Sequence, residues 1–271
     1  MLSDTDAIVL ADGVRVDSGG IVDEVRAERL PANATASFVL ARAGQPLGAV
    51  AAELAFVYRV ERGQARDDVL SFAYRLNRLL LVNVQPGSGR TRRLWSWLQG
   101  ALRLVPANTV PRTAWRRVGL DTRSGMRAAL CTLAAVRWRA LTIGLLAALL
   151  CVETAAVGGV VPGWSWVVVG VAAGLGLALH EAGHAMVLGG VPAALVLAGP
   201  RTFVLHRTVS TARRRLVALA GPTVPLAAGA FVAAAARPAG STVLALAACA
   251  LCGHGLGLTV ATRDGRTACG A

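Results

Sequence analysis

His180-Glu181-Ala182-Gly183-His184 puts two imidazoles and a carboxylate within five residues. Residues four apart share a helix face, so His180 and His184 can grip one metal ion together. Glu181 lies roughly 100° around the helix from His180, within reach of a water activated at that ion. The chemistry of such a set is metal-assisted peptide hydrolysis, with the imidazoles as ligands and Glu181 as general base. Two histidines at a helix C-terminus can also be plain caps, favoured by the helix dipole. The setting argues for the metal. The uncharged run 167–179 leads straight into the motif, and ionisable groups at membrane depth are costly and functional by default.

A catalytic zinc ion takes three protein ligands and keeps one position open. His180 and His184 supply two, and Asp264, followed by the turn-permitting Gly265, is the expected third. His254 is the alternative. In a helical segment it would lie about 15 Å before Asp264, so only one of the two can reach the metal. An ordinary surface acid in Arg263-Asp264-Gly265-Arg266 is the plain reading of Asp264. Glu153 is a lone acid in an apolar stretch, suited to a water path, a hydrogen bond within the helices or a place near the interface.

Four apolar stretches must position these groups: 140–161, 164–188, 216–236 and 242–261. Each is near the roughly 20 residues that cross a bilayer. Arg137 and Arg139 precede the first, Arg201, Arg207 and Arg213-Arg214-Arg215 follow the second, and Arg263 and Arg266 follow the fourth. The intervening turns carry at most Arg237. By the positive-inside rule the expected protein is a multi-pass cell-membrane protein with its N-terminus, middle loop and C-terminus cytoplasmic. His180, His184 and Asp264 then meet at the cytoplasmic membrane level.

The net charge of +13 divides as −1 over residues 1–90, +9 over 91–139 and +5 over 140–271. Because the excess flanks apolar spans, anionic membrane lipid is the expected counterpart, and nucleic acid is not. The opening Met1-Leu2-Ser3-Asp4-Thr5-Asp6 is acidic and lacks an apolar core, so no signal peptide is expected. The five cysteines do not form a disulfide framework, and Cys249 and Cys252 beside His254 read as small apolar fillers rather than a metal cluster.

Over residues 140–271 the chain resembles the site-2 protease family of intramembrane zinc metalloproteases. The resemblance rests on the His180–His184 motif, the hairpin-like Gly190-Val191-Pro192 to Gly199-Pro200-Arg201-Thr202-Phe203, the Ala220-Gly221-Pro222 that opens the next span, and Asp264-Gly265. It implies zinc as cofactor, His180, His184 and Asp264 as ligands, Glu181 as the catalytic base, and substrate contacts near Gly221, Pro222 and Thr223. The chain departs from the family where an Asn usually follows Gly221-Pro222, having Thr223 and Val224 instead. It departs again where Leu256 and Thr259 replace the Asn and Pro of the aspartate loop. These departures bear on how a substrate is held, not on the metal.

Residues 1–85 have a separate pattern. Ala7-Ile8-Val9-Leu10 and Val14-Arg15-Val16 flank Asp12-Gly13, a hairpin signal. Helices are expected from Asn33 to Gly44, over 47–58 with Val50, Leu54 and Val57 on one stripe, and over 64–80 with Ala65, Val69, Phe72, Leu76 and Leu79 or Leu80 periodic. The expected fold class is therefore an α-helical membrane protein with about four transmembrane helices, preceded by a small α+β winged-helix-like domain. Order and spacing from Leu30-Pro31-Ala32-Asn33 to Leu80-Leu81-Val82 resemble the PqqD-like domains, the recognition elements that bind the leader of a ribosomally made, later modified peptide. That resemblance implies a precursor leader as partner, captured as an added strand on the edge of the Ile8–Val16 hairpin. DNA binding or mere packing are the alternatives for this domain. DNA wants a basic recognition helix, yet Arg66, Arg75 and Arg78 stand beside Asp67 and Asp68.

Residues 86–139 are expected to be a basic linker broken at Pro86-Gly87-Ser88-Gly89. Trp95, Trp97 and Leu98 among Arg92, Arg93 and Arg103 suit either a helix lying on the membrane surface or a solvated segment. Taken together the chain resembles proteases of actinobacterial peptide-natural-product pathways such as daptide-type clusters, which implies leader removal from a modified precursor. Two rival expectations are regulated cleavage of a membrane-anchored transcription regulator and a non-catalytic membrane-bound peptide- or DNA-binding sensor.

Overall fold

The computed structural model describes residues 2–18, 20–87, 115–156, 165–198, 201–258, 264 and 267. The chain divides into two compact units: Met1–Gly119 with Ala194–Arg207, and Leu120–Ala193 with Thr208–Ala271. It is mostly helical, and three of its helices are long and apolar enough to cross a membrane.

In the first unit come strands β1 (Ala7–Leu10), β2 (Val14–Asp17), β3 (Gly20–Asp23) and β4 (Glu28–Leu30), and helices α1 (Ala34–Leu40), α2 (Leu47–Tyr58) and α3 (Arg62–Arg78). Strands β5 (Val82–Gln85), β6 (Arg116–Gly119), β7 (Ala193–Ala198) and β8 (Arg201–His206) follow. The Asn33 side chain caps α1 by accepting from the Ala36 amide at 2.8 Å, so the expected start at Asn33 is observed. The α2 boundaries are those expected, but Val57 is exposed rather than on the buried stripe, because α2 runs past the core before Arg59 turns left-handed at φ 53°. On α3, Ala65, Val69 and Leu76 are buried as expected. Leu80, left-handed at φ 62°, turns inward just after the helix while Leu79 stays exposed. The core joins Ile8, Leu47, Val50, Leu54, Val69 and Val82.

The expected Ile8–Val16 hairpin does not form. β1 pairs antiparallel with β5, its Ile8 opposite Val84, and β2 pairs with β3. Gly13 does turn the chain at φ 74°, but the turn passes β2 into a separate sheet ordered β2-β3-β4. The reason is burial. Ile8 and Val82 both enter the helical core, and pairing β1 with β5 brings them there together. The other side of β1 is taken by Gly44 and Pro46, through Gly44 N–H to the Ile8 carbonyl at 2.7 Å and a bridge at Ala7.

Part of the expected linker is ordered structure. β6 pairs antiparallel with β7, Arg117 opposite Val196, in a sheet ordered β6-β7-β8. Its backbone is gripped by two asparagine side chains acting as short strands. Asn77 donates to the Trp115 carbonyl at 2.7 Å and accepts from the Trp115 amide at 2.8 Å. Asn83 does the same for Arg117, at 2.8 and 2.7 Å. Arg117 itself points inward and donates from both terminal guanidinium nitrogens, Nη1 and Nη2, to Asp23, at 2.7 and 2.9 Å, with neither side chain exposed. The hairpin β7–β8, which the sequence reading put with the membrane half, thus belongs to the N-terminal unit. The surface helix expected near Trp95 and Trp97 lies outside the described residues.

In the second unit are α4 (Gly125–Ala156), α5 (Ser165–Val187), α6 (Thr211–Ala239) and α7 (Thr242–Cys252), the last continued by a 3₁₀ segment, Gly253–Leu258. α4 starts well before residue 140, correcting the expected linker boundary. Ser124 caps it, with its hydroxyl accepting from the Arg127 amide at 3.2 Å. Arg127, Arg137 and Arg139 ride within the helix, the first two exposed and Arg139 half-buried. α4 and α5 cross on glycine: a Cβ on Gly170 would strike the Gly144 carbonyl and Ala148. Such small-residue seams let membrane helices approach closely. The fourth apolar stretch begins as the shorter helix α7, and residues 259–263 lie outside the described ones.

Candidate metal centre

α5 carries the histidine motif in its last two turns, after about four turns of mostly small and apolar residues. His180 and His184, one turn apart, present their rings edge to face with centroids 4.8 Å apart. Their Nε2 atoms are 3.1 Å from one another. Asp264 Oδ2 lies 3.3 Å from the first and 3.4 Å from the second. Three electron-rich atoms therefore close a triangle with sides of 3.1, 3.3 and 3.4 Å. A tetrahedral ion with bonds of about 2.0–2.1 Å holds its ligand atoms about 3.3–3.4 Å apart. The donor set fits one face of such a tetrahedron, and it is the only group of its kind among the described residues.

The three donor side chains differ in how they are held. His184 Nδ1 lies 2.7 Å from the Val217 carbonyl on α6. That bond makes Nδ1 the protonated nitrogen and leaves Nε2 free to ligate, the usual way a protein fixes a metal-binding tautomer. His180 Nδ1 is buried and has no hydrogen-bond partner among the described residues. The ring of His184 also explains Gly221. A Cβ there would overlap the imidazole, so only glycine lets α6 come this close.

Glu181 is 6% exposed, and its Oε2 has no hydrogen-bond partner among the described residues. A buried carboxylate oxygen without a partner is costly, commonly several kcal/mol for a charged group. Sites that need a free base tolerate that cost, and Glu181 stands beside the donor triangle in sequence.

Of the two alternatives for third ligand, Asp264 is in the triangle and His254 is not. The His254 ring lies over Gly176, its Nε2 is 3.4 Å from the Ala173 carbonyl, and its centroid is 6.2 Å from that of His180. It sits about one turn deeper along α5. Of the expected substrate contacts, Gly221 and Pro222 are buried, and Gly221 lies against the His184 ring. Thr223 is exposed, and its hydroxyl donates back to the Leu219 carbonyl at 2.9 Å. The Cys252 thiol faces Gly229 as a packing group, in line with a filler role. The side chain of Glu153, and Gly265, Leu256 and Thr259, lie outside what is described. Arg213, which sequence reasoning counted only as a loop charge, donates to the carbonyls at the end of α5. Its signal was four-residue spacing ahead of Val217 and Gly221.

Comparison with protein-family models, with curated proteins and with solved structures gives no match to this chain.

Proposed function

We propose that this chain is an intramembrane zinc metalloprotease of the site-2 kind that removes the leader from a ribosomally made, modified peptide. The observation that carries the reading is the donor triangle of His180, His184 and Asp264, beside the unpartnered carboxylate of Glu181, at the end of a membrane-length helix. Zinc held there would supply Lewis acidity toward the scissile carbonyl and ease deprotonation of water near neutral pH. Glu181 takes the proton of the attacking water as the carbon–oxygen bond forms. It then delivers that proton to the departing amine nitrogen as the carbon–nitrogen bond breaks. The Val217 carbonyl keeps His184 in the ligating tautomer throughout. The small, apolar walls of α5 and α6 limit access of bulk water.

We read the membrane arrangement as four crossings with residues 1–87 and the metal end cytoplasmic, since Arg207 and Arg213-Arg214-Arg215 cluster at that level. We read the N-terminal unit as a PqqD-like leader-binding domain. With the first hairpin absent, the edge open to an added strand belongs to the sheet β2-β3-β4 rather than to β1. Peptide is favoured over DNA because two of the four arginines of α3 are engaged: Arg66 binds Asp4 at 2.8 Å, and Arg78 lies 3.8 Å over the Trp115 ring.

The test uses full-length protein in detergent, its metal content, and small precursor peptides encoded beside its gene. One zinc per chain and cleavage of a leader are expected, with Glu181→Gln losing cleavage while keeping the metal. A metal-free wild type would overturn the reading. Cleavage only of a membrane-anchored regulator would keep the protease and overturn its assigned substrate.

A further inference from the structure

We infer that Arg213 is a positioning residue for the metal ligands, locking the position of α5 along α6. The inference rests on the metal reading above and extends it to a residue outside the donor set. Arg213, Val217 and Gly221 are spaced by four and form one stripe of α6. All three meet α5. Arg213 Nη2 donates to the carbonyls of Val187 and Gly189 at 3.0 and 2.6 Å, and its Nε to Val187 at 3.3 Å. Val217 accepts from His184, and Gly221 lies under the His184 ring.

The neighbouring arginines set Arg213 apart. Arg214 and Arg215 are exposed and free to meet lipid headgroups, whereas Arg213 is half-buried and turned onto the helix end. The last carbonyls of a helix have no partner within it, and a cation is favoured there. A planar guanidinium can bridge two such carbonyls at once, which an ammonium does less well.

The need for this lock follows from the rest of the interface. At the level of the ligands the two helices meet closely at a small residue, Gly183 against the Ala220 carbonyl. That contact sets the distance between the helices, and besides Arg213 the side chains that resist sliding there are Val224 beside Gly183 and the His184 ring itself. A slip of one residue moves α5 by about 1.5 Å. That is enough to part His184 Nδ1 from the Val217 carbonyl and to open the donor triangle. Arg213 holds the carbonyl three residues beyond His184, so it fixes that axial position directly.

The experiment measures zinc affinity of the full chain in detergent by competition with a chromogenic chelator, alongside the melting temperature of the metal-free protein. Arg213→Gln is expected to bind zinc about 10–100-fold more weakly, the usual effect of losing a group that orients a ligand. Arg213→Lys should recover part of that loss, and Arg214→Gln should match wild type. Wild-type affinity in Arg213→Gln overturns the inference, as does a fall in melting temperature with affinity unchanged, which would make Arg213 an ordinary helix cap. A wild type that binds no zinc overturns the metal reading itself, a result distinct from either.

Discussion

On the proposed zinc reading His254 and Asp264 compete for one role, and the choice between them decides which end of the last segment would belong to the metal. The carboxylate oxygen of Asp264 is 3.3 and 3.4 Å from the two ligand nitrogens, whereas the His254 ring is tied to the Ala173 carbonyl a turn deeper. Removing a ligand should cost more than removing a group that orients one, an effect of about 10–100-fold. Asp264→Ala is therefore expected to weaken zinc binding by more than about 100-fold, and His254→Ala by less than about 3-fold. Chelator competition on both variants checks this, and the reverse ranking would make His254 the ligand. Sequence alone held both candidates open, because spacing along a segment does not say which of its residues meets another helix. The pair His180 and His184 was legible because one helix fixes their geometry locally.

At the level of strands and helices, the buried pair of Asp23 and Arg117 ties β3 to β6. Burial alone would raise the Asp23 pKa. The hydrogen bonds from Arg117, then those from the side chain and backbone of Arg26, outweigh it and hold Asp23 at about 2, against 3.8 when free. A lowered pKa means the folded state favours the ionised form. The pair thus contributes about 2 kcal/mol that is fully present above pH 4 and is lost as pH falls through about 2. Asp23→Asn leaves a buried guanidinium uncompensated and should cost about 3–5 kcal/mol at neutral pH. It should also flatten the acid dependence between about pH 4 and 2. Urea melts of the full chain, followed by hydrogen exchange of peptides from β3 and β6, measure both. An unchanged acid slope in the variant would show that other carboxylates govern it. The helices of this unit were legible from periodicity and from the Asn33 cap. The strand pairing was not, because Asp12-Gly13 is a good turn in either partnership and only burial of Ile8 with Val82 selects β1–β5. Nor could β6 be foreseen, since Asn77 and Asn83 read as ordinary polar residues until their amides are seen pairing with a distant backbone.

At the scale of the membrane unit, the path of the chain after α6 determines whether the site can exist. α6 begins beside the end of α5, as the bonds from Arg213 to Val187 and Gly189 require, and then runs away from it for 29 residues. Asp264 nevertheless returns to His180 and His184. Between them α7 and the 3₁₀ segment span 11 and 6 residues, about 28 Å of rise, close to the roughly 30 Å hydrocarbon thickness. The order of meetings along α5 gives the same direction. His254 lies at Ala173 and Gly176, and Asp264 ten residues later lies at His180 and His184, so this part of the chain advances toward the end of α5. On the proposed four-crossing arrangement, this helix, too short to count as a span by its own length, would make the fourth crossing together with its continuation. The expected outcome in reporter fusions is a cytoplasmic signal after residues 87, 208 and 271, and an external signal after 163 and 240. Should the fusion after 271 report outside while that after 208 reports inside, α7 would not return. Asp264 would then be on the far side from the histidines, and the three-ligand site would fall with it.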